Sequence, residues 1–452
     1  MTKHLYFLME VGTREFAARC LKACIAAERG LTVLIGFQYT LLEHAAYLPR
    51  GIYLSKGTNS FSANNMAVAR QAGHLSVCCE EENFFRVLKD NPVSFSAPNL
   101  ADVCDLYLAA GAAEERFLRS MYGASLPIAR AGNARSDVLR PELRALFANE
   151  TKAFKERFGR YILINSNLGI INSASGEPPE VQVQRWDGLG LFRSDMSQEQ
   201  KAAAFDDFVK HDQANAQNLQ AVLKLLSSKD INVVLRPHPG ENADEWRKVV
   251  ANLGAPNIHV YSDGSHIPAI LGADLLVHTS CTTGVEALLL GVPALSIKAS
   301  AVKAHSYYLS NTCNVTCADP QSAADMIDRH LAGDRFINDA RPEMMTHLSD
   351  YLDAAEKGPL AAERIVDKLE ALDITGARGE GDAAGAPKRA LKIYQENKHF
   401  VENDYVRQKY GLTKEIFKHT FEHFQSVLKR FSGVEWAPLS DSVFVVRPRS
   451  PS

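Results

Sequence analysis

No Asp-x-Asp pair occurs anywhere in the 452 residues. Carboxylates hold a divalent ion against substrate phosphates, so chemistry that needs a paired-aspartate clamp is not expected, and neither a metal nor a cofactor is. There is no Walker A loop and no G-x-S-x-G turn, which excludes P-loop nucleotide hydrolysis and the serine hydrolases built on that elbow. The eight cysteines include no C-x-x-C pair and sit mostly in apolar segments. Buried thiols are expected, not a zinc cradle or a disulfide framework, and the sequons at Asn149 and Asn314 then carry no meaning. No run approaches the roughly 18 apolar residues of a membrane span. The N-terminal apolar run is too short for a signal h-region and lacks a cleavage site, so a cytoplasmic location is expected. The formal charge of −3 leaves no basic field for nucleic acid. One metal-like pattern, His419-x-x-Glu422-His423, lies on an amphipathic stretch without a further ligand in context, and reads as polar residues beside an apolar stripe.

What is present is ordinary globular material, 46% hydrophobic and 23% charged, enough for more than one core. Short apolar runs alternate with helical-period segments. The strand candidates are 4–9, 32–36, 51–54, 75–79, 104–109 and 126–131, then 160–165, 231–236, 257–261, 273–277, 293–297 and 314–317. Strands alternating with helices imply parallel, doubly wound sheets. The fold class is therefore α/β, with two Rossmann-like domains at 1–145 and 151–373. Residues 171–195 read as a long loop, and 374–387 as a flexible linker. The stretch 388–452 reads as a mainly helical extension with a short strand-like run, SVFVV. Its helix carries the stripe Phe417, Phe421, Phe424 and Phe431. The basic Lys414, Lys418, Lys429 and Arg430 leave a peripheral membrane contact open.

Two strand ends carry the chemistry. The run 231–236 ends in Arg236-Pro237-His238-Pro239-Gly240-Glu241. Ligands of open α/β sheets bind outside the carboxyl ends of the strands, where the Arg236 guanidinium and the His238 imidazole can donate to a phosphate. The run 273–277 leads into His278-Thr279-Ser280-Cys281-Thr282-Thr283-Gly284-Val285-Glu286 and a short apolar helix. Free N–H groups at a helix start, with hydroxyls beside them, form an anion site. Glu286 lies about one turn in, where it can accept from ribose hydroxyls or serve only the helix start. Asn165 and Asn167 follow another strand of the same half. In the first half, Glu10 and Arg14 follow the first strand, and Glu10 fits a general base in type and place. The Glu80-Glu81-Glu82 run follows another strand end. Asn133 and Arg135 close the last one, to touch ligand or to fix the turn.

Arg-Pro-His-Pro followed by Thr-Ser-x-x-x-Gly-x-Glu-Ala-Leu-x-x-Gly-x-Pro resembles the donor half of GT-B-type transferases of surface-polysaccharide assembly, above all the capsule β-Kdo transferase group. Bacterial sialyltransferases carry similar His-Pro and Ser-Ser/Thr motifs. With Glu10-x-x-x-Arg14-Glu15, the Glu80–Glu82 run and Gly132-Asn133-Ala134-Arg135-Ser136-Asp137, residues 1–370 resemble surface carbohydrate biosynthesis proteins. The resemblance implies a metal-independent glycosyltransferase with a GT-B-like arrangement of its two domains about a cleft. The donor would be a nucleotide-sugar, CMP-Kdo-like or UDP-linked, and the acceptor a glycan or lipid-linked glycan. It places His238 on the donor phosphates as a catalytic contact. It places Ser280 and Thr282 or Thr283 in the phosphate cradle, in the turn that also holds Thr279 and Gly284, and Glu286 near the ribose; Arg14, Glu81, Asn133 and Arg135, at strand ends of the first half, are expected on the acceptor side. One departure is that the strand at 160–165 leads into Asn165-Ser166-Asn167, with no aspartate-bearing stretch. A UDP-N-acetylhexosamine 2-epimerase and a non-catalytic nucleotide-sugar-binding component stay open as alternatives.

Overall fold

The computed structural model describes residues 3–81, 86–87, 90–93, 96–298, 302–375 and 410–449. The chain forms two compact units. Unit 1 is Met1–Phe84, Phe95–Leu146 and Asp350–Ser452, and unit 2 is Phe85–Ser94 and Phe147–Ser349. Residues 350–373, expected with the second domain, thus fold with the first.

In unit 1, β1 (His4–Met9), β2 (Thr32–Phe37), β3 (Gly51–Ser55), β4 (Leu75–Cys78), β5 (Leu106–Ala109) and β6 (Ile128–Arg130) run parallel. Parallel strands are covered on both faces and read as unbroken apolar runs. Five of the six residues of β1 are buried, as are all five of β3. The hairpin β13 (Val434–Ser440) and β14 (Val443–Pro448) adds two antiparallel strands through β2, giving the order β13-β14-β2-β1-β3-β4-β5-β6. The described part of the C-terminal extension is therefore a helix, Lys414–Leu428, plus this hairpin. The helical reading of the extension holds for this helix, the strand-like run SVFVV falls in the hairpin, and 376–409 lie outside the described residues. The aromatic stripe is spent inside unit 1: Phe417 is fully buried, with ring centroids 5.0 Å from Phe16, 4.6 Å from Trp436 and 4.7 Å from Phe444.

The segment Ala361–Ala371 belongs to unit 1 for a local reason. Asp137 accepts from Ala361 N at 3.0 Å and Ala362 N at 2.8 Å, capping that helix.

In unit 2, β7 (Tyr161–Asn165), β8 (Asn232–Arg236), β9 (Ile258–Val260), β10 (Leu275–His278), β11 (Ala294–Ile297) and β12 (Val315–Cys317) form a second parallel sheet, ordered β12-β11-β10-β7-β8-β9. The order reverses between β7 and β10, the crevice position of doubly wound sheets. In unit 1 it reverses between β1 and β3. Residues 171–195 are not all loop: Pro179–Gly188 is a helix. Its Pro stands at the first helical positions, where the missing N–H is harmless, and Trp186 packs edge-on against Phe205 at 5.1 Å.

Candidate functional site

Asn165 is the register partner of His278 on one side and of Arg236 on the other, so three strand ends of unit 2 finish level at the reversal. Loop contacts then fasten the turns to one another. Asn167 Nδ2 donates to Ser280 O at 3.1 Å. Glu241, five residues past the end of β8, is a buried hub. Its carboxylate accepts from Ser166 Oγ at 2.9 Å, Leu168 N at 3.0 Å, His238 N at 3.1 Å and Trp246 Nε1 at 2.8 Å. The exposed His238 ring accepts the Gly240 N–H at Nδ1, 3.1 Å away. In the neutral ring that leaves the proton on Nε2, the edge a phosphate would meet.

Arg236 has a different duty from the one expected. It is buried, and its guanidinium donates to the carbonyls of Asp263 and Gly264, the first at 2.7 Å. Ser280 also departs from its expected place as a cradle lining. It is fully buried with φ of 52°, and its hydroxyl is surrounded by His211 Nε2 at 2.8 Å, Asn311 Nδ2 at 2.9 Å and His305 Nδ1 at 3.2 Å. His211 Nδ1 faces Asp212 Oδ1 at 3.1 Å, and Asn215 Nδ2 lies 3.1 Å from His211 Nε2. Burial pushes the His211 imidazole down to about 4, so it is neutral. This set, His211, Asp212, His305 and Asn311, was missed in the sequence. The available signal was His211 and Asn215 on the buried face of the helix Gln198–Leu226, among Phe208, Leu219 and Val222.

The helix Thr283–Leu290 starts where expected. Gly284 is required there: a Cβ would lie 2.3 Å from His278 Nε2 and 2.8 Å from Asn314 Nδ2. Thr282 is the exposed hydroxyl of the turn, whereas Thr279 and Thr283 are buried. Asn165 Oδ1, His278 Nε2 and Thr279 Oγ1 are buried without a hydrogen-bond partner among the described residues. Glu286 is buried and meets His266 Nε2 at 2.6 Å.

In unit 1 the expected residues gather around β1, β3 and β4. Lys56 Nζ lies 2.5 Å from Glu10 Oε2 and 2.9 Å from Glu15 Oε1, bridging the reversal. Glu15 also meets Arg14 and Arg19, each at 3.4 Å, and accepts the Glu10 N–H at 3.0 Å. Burial alone would raise its carboxyl, but Lys56, Arg19 and Arg14 hold it well below the usual range. Glu81 is buried and paired with Arg19 at 2.6 Å. Asn133 Nδ2 donates to Glu80 O at 3.2 Å, and Arg135 to Glu81 O at 3.0 Å. These contacts tie the turn at 133–135 to the loop at 80–81.

No family model matches the chain, and no curated protein matches it. Among solved structures, the S. aureus MnaA–UDP co-structure is similar at 12% identity and a TM-score of 0.48, over 82% of this chain and 96% of that one. UDP-GlcNAc 2-epimerase from Neisseria meningitidis bound to UDP-GlcNAc gives 13% and 0.48, over 82% and 100%. The wall teichoic acid polymerase TagF gives 12% and 0.46, over 82% and 89%. Likenesses at this level set no activity.

Proposed function

We propose that the chain is a glycosyltransferase whose unit 2 binds a nucleotide-sugar donor at the carboxyl ends of β7, β8 and β10. The observation that carries this reading is the level edge at the strand reversal. There Asn165, His278 and Thr279, at the ends of β7 and β10, hold buried polar atoms without partners among the described residues. Buried polar groups without partners are rare and call for an explanation such as a ligand or ordered water. The groups proposed to meet a phosphate are the His238 ring and the Thr282 hydroxyl at the start of the helix Thr283–Leu290. Glu286, paired with the more exposed His266, is the ribose acceptor of this scheme. In unit 1, Glu10 is the candidate base for the acceptor hydroxyl of a glycan or lipid-linked glycan. The sequence resemblance favours a CMP-linked 2-keto-3-deoxy sugar, and a UDP-sugar is the alternative donor. Catalysis is proposed to need no divalent ion, from the missing Asp-x-Asp pair.

Calorimetry with CMP, UDP, GDP and CDP tests the donor half. One nucleotide should bind, and His238→Ala should weaken it by roughly ten- to hundred-fold, the worth of one charge-assisted hydrogen bond. Wild-type affinity in both His238→Ala and Glu286→Ala, at unchanged melting temperature, would show that the donor lies elsewhere. Conversion of UDP-GlcNAc in the absence of any acceptor would replace the transferase reading with the epimerase one.

A further inference from the structure

We propose that unit 1 carries a monosaccharide-binding ledge made of Tyr39 and Phe61, with Glu10 and Lys56 at its edge. It rests on the transferase reading only in calling the bound sugar an acceptor. Phe37 ends β2, and Tyr39 follows in the first turn of the helix Gln38–Glu43. Four rings then run in edge contact. Tyr410 lies 5.1 Å from Phe37, Phe37 lies 5.2 Å from Tyr39, and Tyr39 lies 6.1 Å from Phe61, all at 63–67°. The inner pair, Phe37 and Tyr410, is buried, while Tyr39 and Phe61 are half-exposed. The ledge is thus an aromatic surface anchored at one end and open at the other. T-shaped packing holds its orientation without a rotamer search on binding.

The polar edge lies alongside. The Tyr39 hydroxyl is pushed up to about 12, by burial first and then by the Glu10 carboxylate, with Lys56 opposing. Met9 is the register partner of Phe37, so Glu10 leaves β1 level with the start of the turn that carries Tyr39, and Lys56 is paired with Glu10 there. Glu10 and Lys56 keep 31% and 15% of their side-chain surface exposed, whereas Glu15 and Arg19 behind them keep 0% and 1%. Solute can reach the first pair and not the second. A pyranose presents an apolar C–H face and a rim of hydroxyls that donate and accept. An anchored ring face bordered by one carboxylate and one ammonium matches both, the usual composition of a small-molecule site. A nucleobase would use the rings and leave the carboxylate facing its phosphates, so a sugar is the better occupant.

The test uses the full-length protein without nucleotide. Saturation-transfer NMR is run with the methyl β-glycosides of glucose, galactose, mannose and N-acetylglucosamine. At least one should bind saturably, with the strongest transfer to ring C–H protons. Tyr39→Ala and Phe61→Ala should each weaken it roughly five- to tenfold, the value of one aromatic contact. Tyr39→Phe keeps the ring and should bind within about twofold of wild type, which separates loss of the ledge from loss of the fold. No binding by any of the four glycosides, or binding untouched by both alanine variants, overturns the ledge. CMP and UDP are titrated into the same samples. Sugar binding with no nucleotide binding overturns the transferase reading and keeps the ledge, and the reverse pattern overturns the ledge alone.

Discussion

Removing the Glu241 carboxylate should loosen the edge of unit 2 where the donor is proposed to bind. Its oxygens accept from Ser166 Oγ at 2.9 Å, Leu168 N at 3.0 Å, His238 N at 3.1 Å, Asn172 Nδ2 at 3.4 Å and Trp246 Nε1 at 2.8 Å. In Glu241→Ala, Ser166 can rotate, and Asn172 keeps its bond to Asn242 O at 3.1 Å. The two main-chain N–H groups and the indole N–H are fixed by the backbone and by packing, and cannot follow. A stranded buried donor costs about 1–3 kcal/mol. The exposed His238 turn recovers part of its share from water, so the sum is roughly 3–6 kcal/mol. Glu241→Gln keeps the shape and one carbonyl oxygen. Only one set of donors then faces an NH2 group, and the loss should be about 1–3 kcal/mol. Urea unfolding followed by tryptophan fluorescence measures the totals. The two units need not unfold together, so hydrogen exchange at Leu168 and His238 assigns the loss to unit 2. An alanine variant within about 1 kcal/mol of wild type would refute the hub, as would a glutamine variant as unstable as alanine.

Ser280→Ala and Ser280→Gly both remove the central hydroxyl. Because φ is 52° there, glycine should be the more stable variant by about 1–2 kcal/mol in thermal unfolding, and equal stabilities would contradict a strained turn. Burial pushes the His278 imidazole down to about 3. The unfolded chain therefore binds a proton below about pH 6.5 that the folded chain refuses, and the stability His278 contributes is full above that pH and lost as pH falls. The destabilisation caused by His278→Asn should accordingly shrink by roughly 2 kcal/mol between pH 7.5 and pH 5, and a pH-independent difference would count against a neutral buried ring. Phe417→Ala should cost about 3–5 kcal/mol and shift Trp436 emission to the red, since Phe417 is the ring on which Phe16, Trp436 and Phe444 converge; an unchanged spectrum would mean the hairpin docks without it.

Among the described residues the central parallel strands were legible because they are buried on both faces, so β1 or β7 reads as one apolar run whatever its neighbours. β13 was not: Val434–Ser440 is an edge strand with Pro438 inside it, and its burial falls off toward Ser440, leaving no alternation to count. The helix Pro179–Gly188 hid among prolines and glycines that read as loop, although Pro179 at its start was itself a helix signal. At the site, sequence located the turns but not the division of labour within them. A carboxylate after Pro-Gly reads as solvated. That Glu241 is buried follows from Trp246 one turn and a half later, whose indole N–H needs an acceptor inside. Arg236 and Ser280 have the right chemistry for a phosphate, but tertiary contacts use it for the loop at 263–264 and for His211. Propensity and spacing carry no information about that competition.

The two units place their exposed candidate groups by the same device. Glu10 N donates to the buried Glu15 carboxylate at 3.0 Å, and His238 N to the buried Glu241 carboxylate at 3.1 Å. Loops at strand ends are ordinarily the mobile part of a domain. A buried carboxylate that accepts a loop N–H makes moving that loop expensive, because the charge would lose part of its solvation inside the protein. The partners differ, and the difference fits a neutral ligand in one unit and an anionic one in the other. Glu15 is ringed by Lys56, Arg14 and Arg19, and Lys56 also pairs with Glu10, so the charges of this site are balanced for a neutral ligand. Glu241 is held by neutral donors, with its charge drawn inward toward Ser166 and Trp246. That leaves the imidazole N–H of His238 and the Thr282 turn facing outward, the arrangement a phosphate requires.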